Sequence, residues 1–299
     1  MTVTTNGLTH IAGAAGTTAA AMANGAAGVM GWPIAHSRSP LIHNYWLKEY
    51  KLVGDYVLLP VAPGDLSAAL HGLAAQGFKG CNITIPHKVN ALEIMDAIDA
   101  NAARVGAVNT VVVQPDGTLK GINTDGFGYI QSLLEVDPAW RADAGPITVL
   151  GAGGAARAVV LALVDQGAKE IRLLNRSLNK AEALAAEFGL TVSALPWEER
   201  HDALTGCALL VNTTSLGMHG NPPLDLNLAA LPKQAMVSDI IYVPLQTPLL
   251  AAASARGNKT VNGLGMLLHQ ARPAFEAWFG VLPEVTPELR RAIEATLGQ

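Results

Sequence analysis

Residues 147–176, ITVLGAGGAARAVVLALVDQGAKEIRLLNR, decide the fold. Ile147 to Leu150 is a short apolar run that reads as a buried strand. Gly151, Gly153 and Ala156 then give a G-x-G-x-x-A pattern where a helix must open, Gly167 closes that helix, and Ile171 to Leu174 is the next strand. Strand, glycine turn, helix and strand together form a dinucleotide-binding unit. Glycine is needed at the turn because a side chain would keep a pyrophosphate away from backbone N–H groups at the positive end of the helix.

The end of this unit indicates which dinucleotide. A site for NAD carries Asp or Glu about 20 residues after the turn, to accept from the ribose 2′-hydroxyl. This chain has Asn175-Arg176-Ser177 there, followed by Lys180. A carboxylate repels a 2′-phosphate, whereas a guanidinium grips it through two charge-assisted hydrogen bonds, with a hydroxyl and an ammonium as further donors. The expected cofactor is NADP.

The chain has 299 residues, enough for two domains, and its 24 acidic and 20 basic side chains leave a net charge of -4. That balance, without a basic run interleaved with aromatics, disfavours nucleic acid as a partner. Two distant cysteines, Cys81 and Cys207, form neither a disulfide framework nor a zinc pattern, so no metal is expected and the cytoplasm is the expected compartment. Residues 1–26 are mostly Ala, Gly and Thr and read as a mobile tail. They have neither a basic start nor a bulky apolar stretch, so no export signal or membrane partner is expected. A homodimer is left open.

Along the chain, the ordered part is expected to begin with a strand at Gly28 to Gly31 and a helix at Leu41 to Tyr50, capped by Ser39. A strand at Tyr56 to Leu59, a helix at Asp65 to Gln76 and a strand at Gly80 to Ile85 follow, and this alternation implies a parallel sheet. Leu92 to Ala103 reads as a helix, and Val108 to Val113 with Leu119 to Ile122 as a hairpin. After Arg176 come a helix at Lys180 to Phe188, strands at Leu209 to Asn212, Met236 to Asp239 and Lys259 to Asn262, and a helix at Pro248 to Arg256. Two last helices, Leu264 to Trp278 and Pro287 to Leu297, are expected to return to the first domain. The expected division is 27–124 with 264–299, and 125–263 for the dinucleotide domain.

Polar residues at strand ends on one edge of a parallel sheet face one cleft. Here these are Ser37, Ser39, Thr84, Lys88, Asn109, Thr110, Asn123, Asp125, Tyr242 and Gln270, a set suited to a small, polyhydroxylated, anionic molecule. Hydride exchange between a carbinol and a ketone also needs a group to move the hydroxyl proton. Lys88 could do this if desolvated or if its proton is shared, and Asp125 could hold its ammonium form.

Eight segments in this order, GWPIAHSRSPLIHN, GCNITIPHKVNAL, GAVNTV, GINTDGFG, VLGAGGAARA, NRSLNKAEALA, NTTSLGM and NGLGMLLHQA, resemble the shikimate dehydrogenase family. The similarity runs from about Gly28 to Phe279. It implies an α/β fold with an N-terminal α/β substrate domain, a Rossmann-type doubly wound NADP-binding domain and a cleft between them. It implies reversible, NADP-dependent reduction of 3-dehydroshikimate to shikimate, with Lys88 and Asp125 as the catalytic pair. Ser37, Ser39, Thr84, Asn109, Tyr242 and Gln270 become substrate ligands. Gly151, Ala152, Gly153, Gly154, Ala155, Asn175, Arg176, Ser177, Lys180, Ile240 and Gly263 become the cofactor site, and Thr213, Thr214 and Ser215 line its nicotinamide side. Members of the family often carry an acid where this chain has Ala100, which leaves a contact sometimes assigned there in doubt. His36, His43 and His87 are given no chemistry. Two alternatives stay open: an NAD-dependent quinate/shikimate paralogue, and a catalytically silent NADP-binding regulator.

Overall fold

The computed structural model describes residues 25–297. The expected tail lies outside the described residues except for its last two positions, and Ala26 already belongs to strand β1 (Ala26–Gly31). Small residues are selected here because β1 is buried along its whole length between β2 (Asp55–Pro60) and β3 (Phe78–Ile83), parallel to both. A Cβ on Gly28 would stand 2.8 Å from a Leu59 methyl. Low strand propensity hid the start of this strand in the sequence.

The first sheet has the order β2-β1-β3-β5-β6-β4, completed by β4 (Ala97–Ile98), β5 (Thr110–Val113) and β6 (Leu119–Ile122). It is mixed rather than parallel, because β5 runs antiparallel to both β3 and β6. The connection from β5 to β6 is a tight turn through Gly117, at φ +86°, and is far too short for a parallel crossover. Helix α1 (Ser39–Glu49) packs on β2 and α2 (Leu66–Ala75) on β3. Ser39 does not cap α1: it is inside the first turn, and Ser37 Oγ accepts its N–H at 3.3 Å. The helix expected at Leu92 to Ala103 is absent as such. Asp96 donates its N–H to the Leu119 carbonyl at 3.0 Å, and its carboxylate accepts the Leu119 N–H at 2.7 Å, which draws the chain out as β4 beside β6. Helix α3 is only Ala100–Val105.

The second sheet is wholly parallel, with the order β12-β11-β10-β7-β8-β9. Its strands are β7 (Ile147–Leu150), β8 (Ile171–Leu174), β9 (Val192–Leu195), β10 (Leu209–Asn212), β11 (Met236–Asp239) and β12 (Thr260–Val261). Numbered from β7, this is the doubly wound order 3-2-1-4-5-6, so the winding reverses between β7 and β10. Strand β9 was not anticipated, and β12 is shorter than expected. The helices are α4 (Asp125–Val136), α5 (Gly154–Asp165), α6 (Leu178–Ala186), α7 (Pro248–Ala255), α8 (Gly263–Phe279) and α9 (Pro287–Glu294).

The chain divides into two compact units, one running to Asp99 and including Val108–Ile122, the other made of Ala100–Ala107 and Asn123 onward. This differs from the expected division, since α8 and α9 pack with α4 of the second unit. Glycines permit that approach: a Cβ on Gly128 would stand 2.6 Å from Gln270, and one on Gly265 2.8 Å from Ser132. Glu135 of α4 then accepts Arg290 of α9 at 2.5 Å and faces His269 of α8 at 3.2 Å. No helix among the described residues is long and apolar enough to cross a membrane.

In the first unit His43 is fully buried, its ring stacked 4.1 Å from that of Tyr56. Burial pushes its pKa down to about 3, opposed in part by the neighbouring Asn82 side chain. The unfolded chain therefore takes up this proton near pH 6.5 while the folded chain stays neutral. The contribution of His43 to stability is complete above pH 6.5 and is lost as pH falls toward 3. At pH 5 the loss is roughly 2 kcal/mol. Denaturant melts at pH 7 and pH 5 should show this slope in the wild type and a shallower one in His43→Phe.

Candidate active site

The parallel sheet prepares a site at the carboxyl ends of β7, β8 and β10, where its winding reverses. A pocket of about 220 Å³ lies there, lined by Gly151, Ala152 and Gly153 after β7, Asn175 and Arg176 after β8, Thr213 to Leu216 after β10, and Trp197. Gly151 sits at φ +108°, and its N–H donates to the Leu174 carbonyl at 2.7 Å. A Cβ at that position would meet Thr213 Oγ1 at 2.5 Å, so Gly151 serves the turn itself. Gly153 and Gly154 differ: a Cβ on either would have no atom within 4 Å. Their lack of side chains leaves open space in front of the α5 N-terminus, where the first N–H groups have no partner within the helix. A pyrophosphate fits such a surface. Asn175 is half-buried and donates to the Ser177 carbonyl at 3.0 Å, while Arg176, Ser177 and Lys180 are exposed. Arg176 and Lys180 form no ion pair among the described residues.

Beside this pocket, Asn212, Asp239 and Thr247 form a buried network that the sequence reading did not single out. Asp239 Oδ1 accepts from Asn212 Nδ2 at 3.1 Å and from the Ile241 N–H at 3.1 Å, and Oδ2 accepts from Thr247 at 2.8 Å. Burial pushes the Asp239 carboxyl up, and these donors oppose the rise. Asn212 also accepts from Thr214, through its N–H at 3.0 Å and its hydroxyl at 2.8 Å, so the network shapes the Thr213–Leu216 wall. A signal did exist in the sequence: a polar residue closing each of the apolar strands β10 and β11. Gly263 packs against the adjoining Ile240, and a Cβ there would lie 1.9 Å from the Ile240 carbonyl oxygen. Tyr242 follows half-buried.

In the first unit the structure gathers Ser37, Ser39, Thr84, Lys88 and Asn109 near the carboxyl ends of β1 and β3. Thr84 N–H donates to the Met30 carbonyl at 2.9 Å, and Ile83 N–H to the Asn109 carbonyl at 2.8 Å, which sets Asn109 across from the end of β3. The loop carrying Lys88 is fixed on both sides. Its neighbour His87, fully buried, bonds the Val61 carbonyl through Nε2 at 2.7 Å, and the Lys88 carbonyl accepts Val108 N–H at 2.8 Å. His87 is thus a structural residue that holds the loop.

Asp125 and Gln270 belong to the second unit. Asp125 opens α4, where the helix dipole favours a carboxylate, and its N–H donates to Asn123 Oδ1 at 3.0 Å. Asn123 in turn donates to the Ala107 carbonyl at 2.9 Å. Thr124 donates its hydroxyl to the Gln270 carbonyl at 2.8 Å. Asp99 precedes α3 rather than lying on a helix.

The two glycine roles separate by experiment. Gly153→Val should fold with an unchanged melting temperature and bind NADP at least roughly tenfold more weakly, measured by fluorescence titration. Gly151→Ala should lower stability by about 1–3 kcal/mol, because it adds a strained φ and a clash.

Three family models cover most of the chain: the shikimate dehydrogenase substrate binding domain over residues 29–111, shikimate / quinate 5-dehydrogenase over 140–219, and the shikimate 5′-dehydrogenase C-terminal domain over 263–293. The shikimate dehydrogenase (NADP(+)) of Paramagnetospirillum magneticum is 55% identical over 264 residues, covering 88% of this chain and 96% of that protein. Among solved structures, the shikimate 5-dehydrogenase of Thermus thermophilus in complex with NADP(H) and shikimate is 36% identical. Its TM-score is 0.80, over 91% of this chain and 99% of that one. The quinate dehydrogenase of Corynebacterium glutamicum in complex with NAD is 30% identical, with a TM-score of 0.84 over 91% and 99% of the two chains. The identity to the Paramagnetospirillum enzyme, which extends over nearly the full length of both chains, together with the order of the matched domains, places this chain in the shikimate dehydrogenase family.

Proposed function

We propose that this chain is an NADP-dependent shikimate dehydrogenase, which reduces 3-dehydroshikimate to shikimate in aromatic amino-acid synthesis and works in the cytoplasm. The observation that carries the choice of cofactor is the pocket after β7, β8 and β10, which presents Arg176 where an NAD site would present an acid. An exposed guanidinium and Lys180 suit a 2′-phosphate. The loop Gly151 to Ala155, the segment Asn175 to Lys180, Ile240 and Gly263 hold the rest of the dinucleotide.

When bound, the nicotinamide supplies the hydride at its C4. The protein supplies the proton. Lys88 Nζ delivers it to the substrate oxygen as the carbonyl becomes an alkoxide and recovers it in the reverse direction, with Asp125 as counter-charge to the ammonium. Ser37, Ser39 and Tyr242 donate to the substrate carboxylate, while Thr84, Asn109 and Gln270 meet the ring oxygens.

Following nicotinamide absorbance with shikimate or quinate against NADP or NAD tests this reading. Turnover with quinate and NAD alone would support the paralogue, and intact NADP binding without turnover would support a silent regulator. Lys88→Ala should lower kcat by roughly 10²- to 10⁴-fold with NADP affinity little changed, and a near-normal kcat would remove Lys88 from its role. Arg176→Asp should move cofactor preference toward NAD by roughly 10- to 100-fold, and an unchanged ratio would show that the 2′-phosphate is held elsewhere.

A further inference from the structure

The first unit contains a buried chain of hydrogen bonds that starts from a fixed amide orientation. Asn82, on β3, donates through Nδ2 to the Asn109 backbone carbonyl at 3.2 Å. A carbonyl only accepts, so the Asn82 amide cannot be flipped, and its Oδ1 must take a donor. That donor is the Tyr56 hydroxyl at 2.6 Å. The same Nδ2 donates to Thr110 Oγ1 at 3.0 Å, so the Thr110 proton is turned away from Asn82. It is given to Asn109 Oδ1 at 3.1 Å. Tyr56, Asn82, Thr110 and Asn109 are each 5% exposed or less, so water does not compete for these bonds. The His43 ring, stacked on Tyr56 at 4.1 Å with 4° between planes, fixes the head of the chain.

We propose that Tyr56, Asn82 and Thr110 act as positioning residues that hold the Asn109 amide with its oxygen toward Thr110 and its amino group as the donor end. The site then offers an N–H to a ring oxygen of the substrate and disfavours a molecule that needs an acceptor at that position. The inference rests on the reading of Asn109 as a substrate ligand. Tyr56 and Asn82 lie behind the site and act through the side chains they hold.

Thr110→Val keeps the shape of residue 110, removes the donor to Asn109 Oδ1 and lets the amide rotate. The Michaelis constant for shikimate should rise roughly 3- to 10-fold, the worth of one neutral hydrogen bond, while that for NADP stays within about twofold of wild type, and the melting temperature should fall because buried partners of Thr110 lose a bond. Thr110→Ser restores the hydroxyl and should restore the constant. Tyr56→Phe, which frees Asn82 Oδ1 one step further back, should give a smaller rise in the same constant. An unchanged shikimate constant in Thr110→Val, or equal changes for both substrates, would overturn the proposal. A wild type that turns over no shikimate would overturn the functional reading instead. The relay would then be judged from the Asn109 side-chain amide resonances, which should shift in Thr110→Val, keep their wild-type positions in Thr110→Ser, and count against the relay if Thr110→Val leaves them unmoved.

Discussion

A polar atom buried at the end of a strand has lost both water and the sheet ladder, and it must find a side chain instead. Both units meet this constraint where their strands stop. In the second, Asp239 closes β11 and is held by Asn212, Thr247 and the Ile241 N–H. In the first, Asn82 near the end of β3 is held between Tyr56, Thr110 and the Asn109 carbonyl. These side chains satisfy the backbone, and they also fix the loops that leave the strands. The Thr213–Leu216 wall and the Asn109 amide take their positions from them. The functional groups are thus built on a layer of polar groups that folding requires in any case.

The doubly wound half was legible in the sequence because its signals are local. Four of its six strands, β7, β8, β10 and β11, are short apolar runs at the expected places, and the glycine turn lies between a strand and a helix in direct succession. Strand β9 was missed because Val192–Leu195 includes Ser and Ala and lies among short helical turns. The first half was harder to read. Ala26 and Ala27 look like tail residues by type and become core only because β2 and β3 close over them. The segment after Leu92 has helical spacing, yet Asp96 pairs with Leu119, 23 positions away, and long-range pairing of that kind has no local signature.

The site residues divide in the same way. Arg176 and Lys180 could be read because they occupy a numbered distance from the glycine turn, and the structure brings Arg176 to the pocket that holds the turn. Lys88 and Asp125 could be collected as strand-end and helix-start polar residues, but their roles came from resemblance. Asp239 and Thr110 could be noticed as polar residues bounding the apolar strands β11 and β5, but their partners could not be read from the sequence, and Asn82 had no local mark at all. Their function depends on which partner each one faces across the sheet.

This division has a thermodynamic consequence for the two recognition tasks. The groups proposed to select the cofactor, Arg176 and Lys180, are exposed charges in the loop and helix after β8, and altering them leaves no buried atom without a partner. Their selectivity is also electrostatic and weakens as salt screens it. The proposed substrate ligand Asn109 stands on different ground. Asn109 is 2% exposed and its amide is tied to Thr110 and, through Asn82, to the core residue Tyr56, so a change of direction at Asn109 propagates into the unit that holds it. Such a change leaves a buried donor or acceptor unpaired, at a cost of about 1–3 kcal/mol. With these proposed roles, cofactor preference can shift by a surface substitution, while substrate preference is coupled to the stability of the first unit.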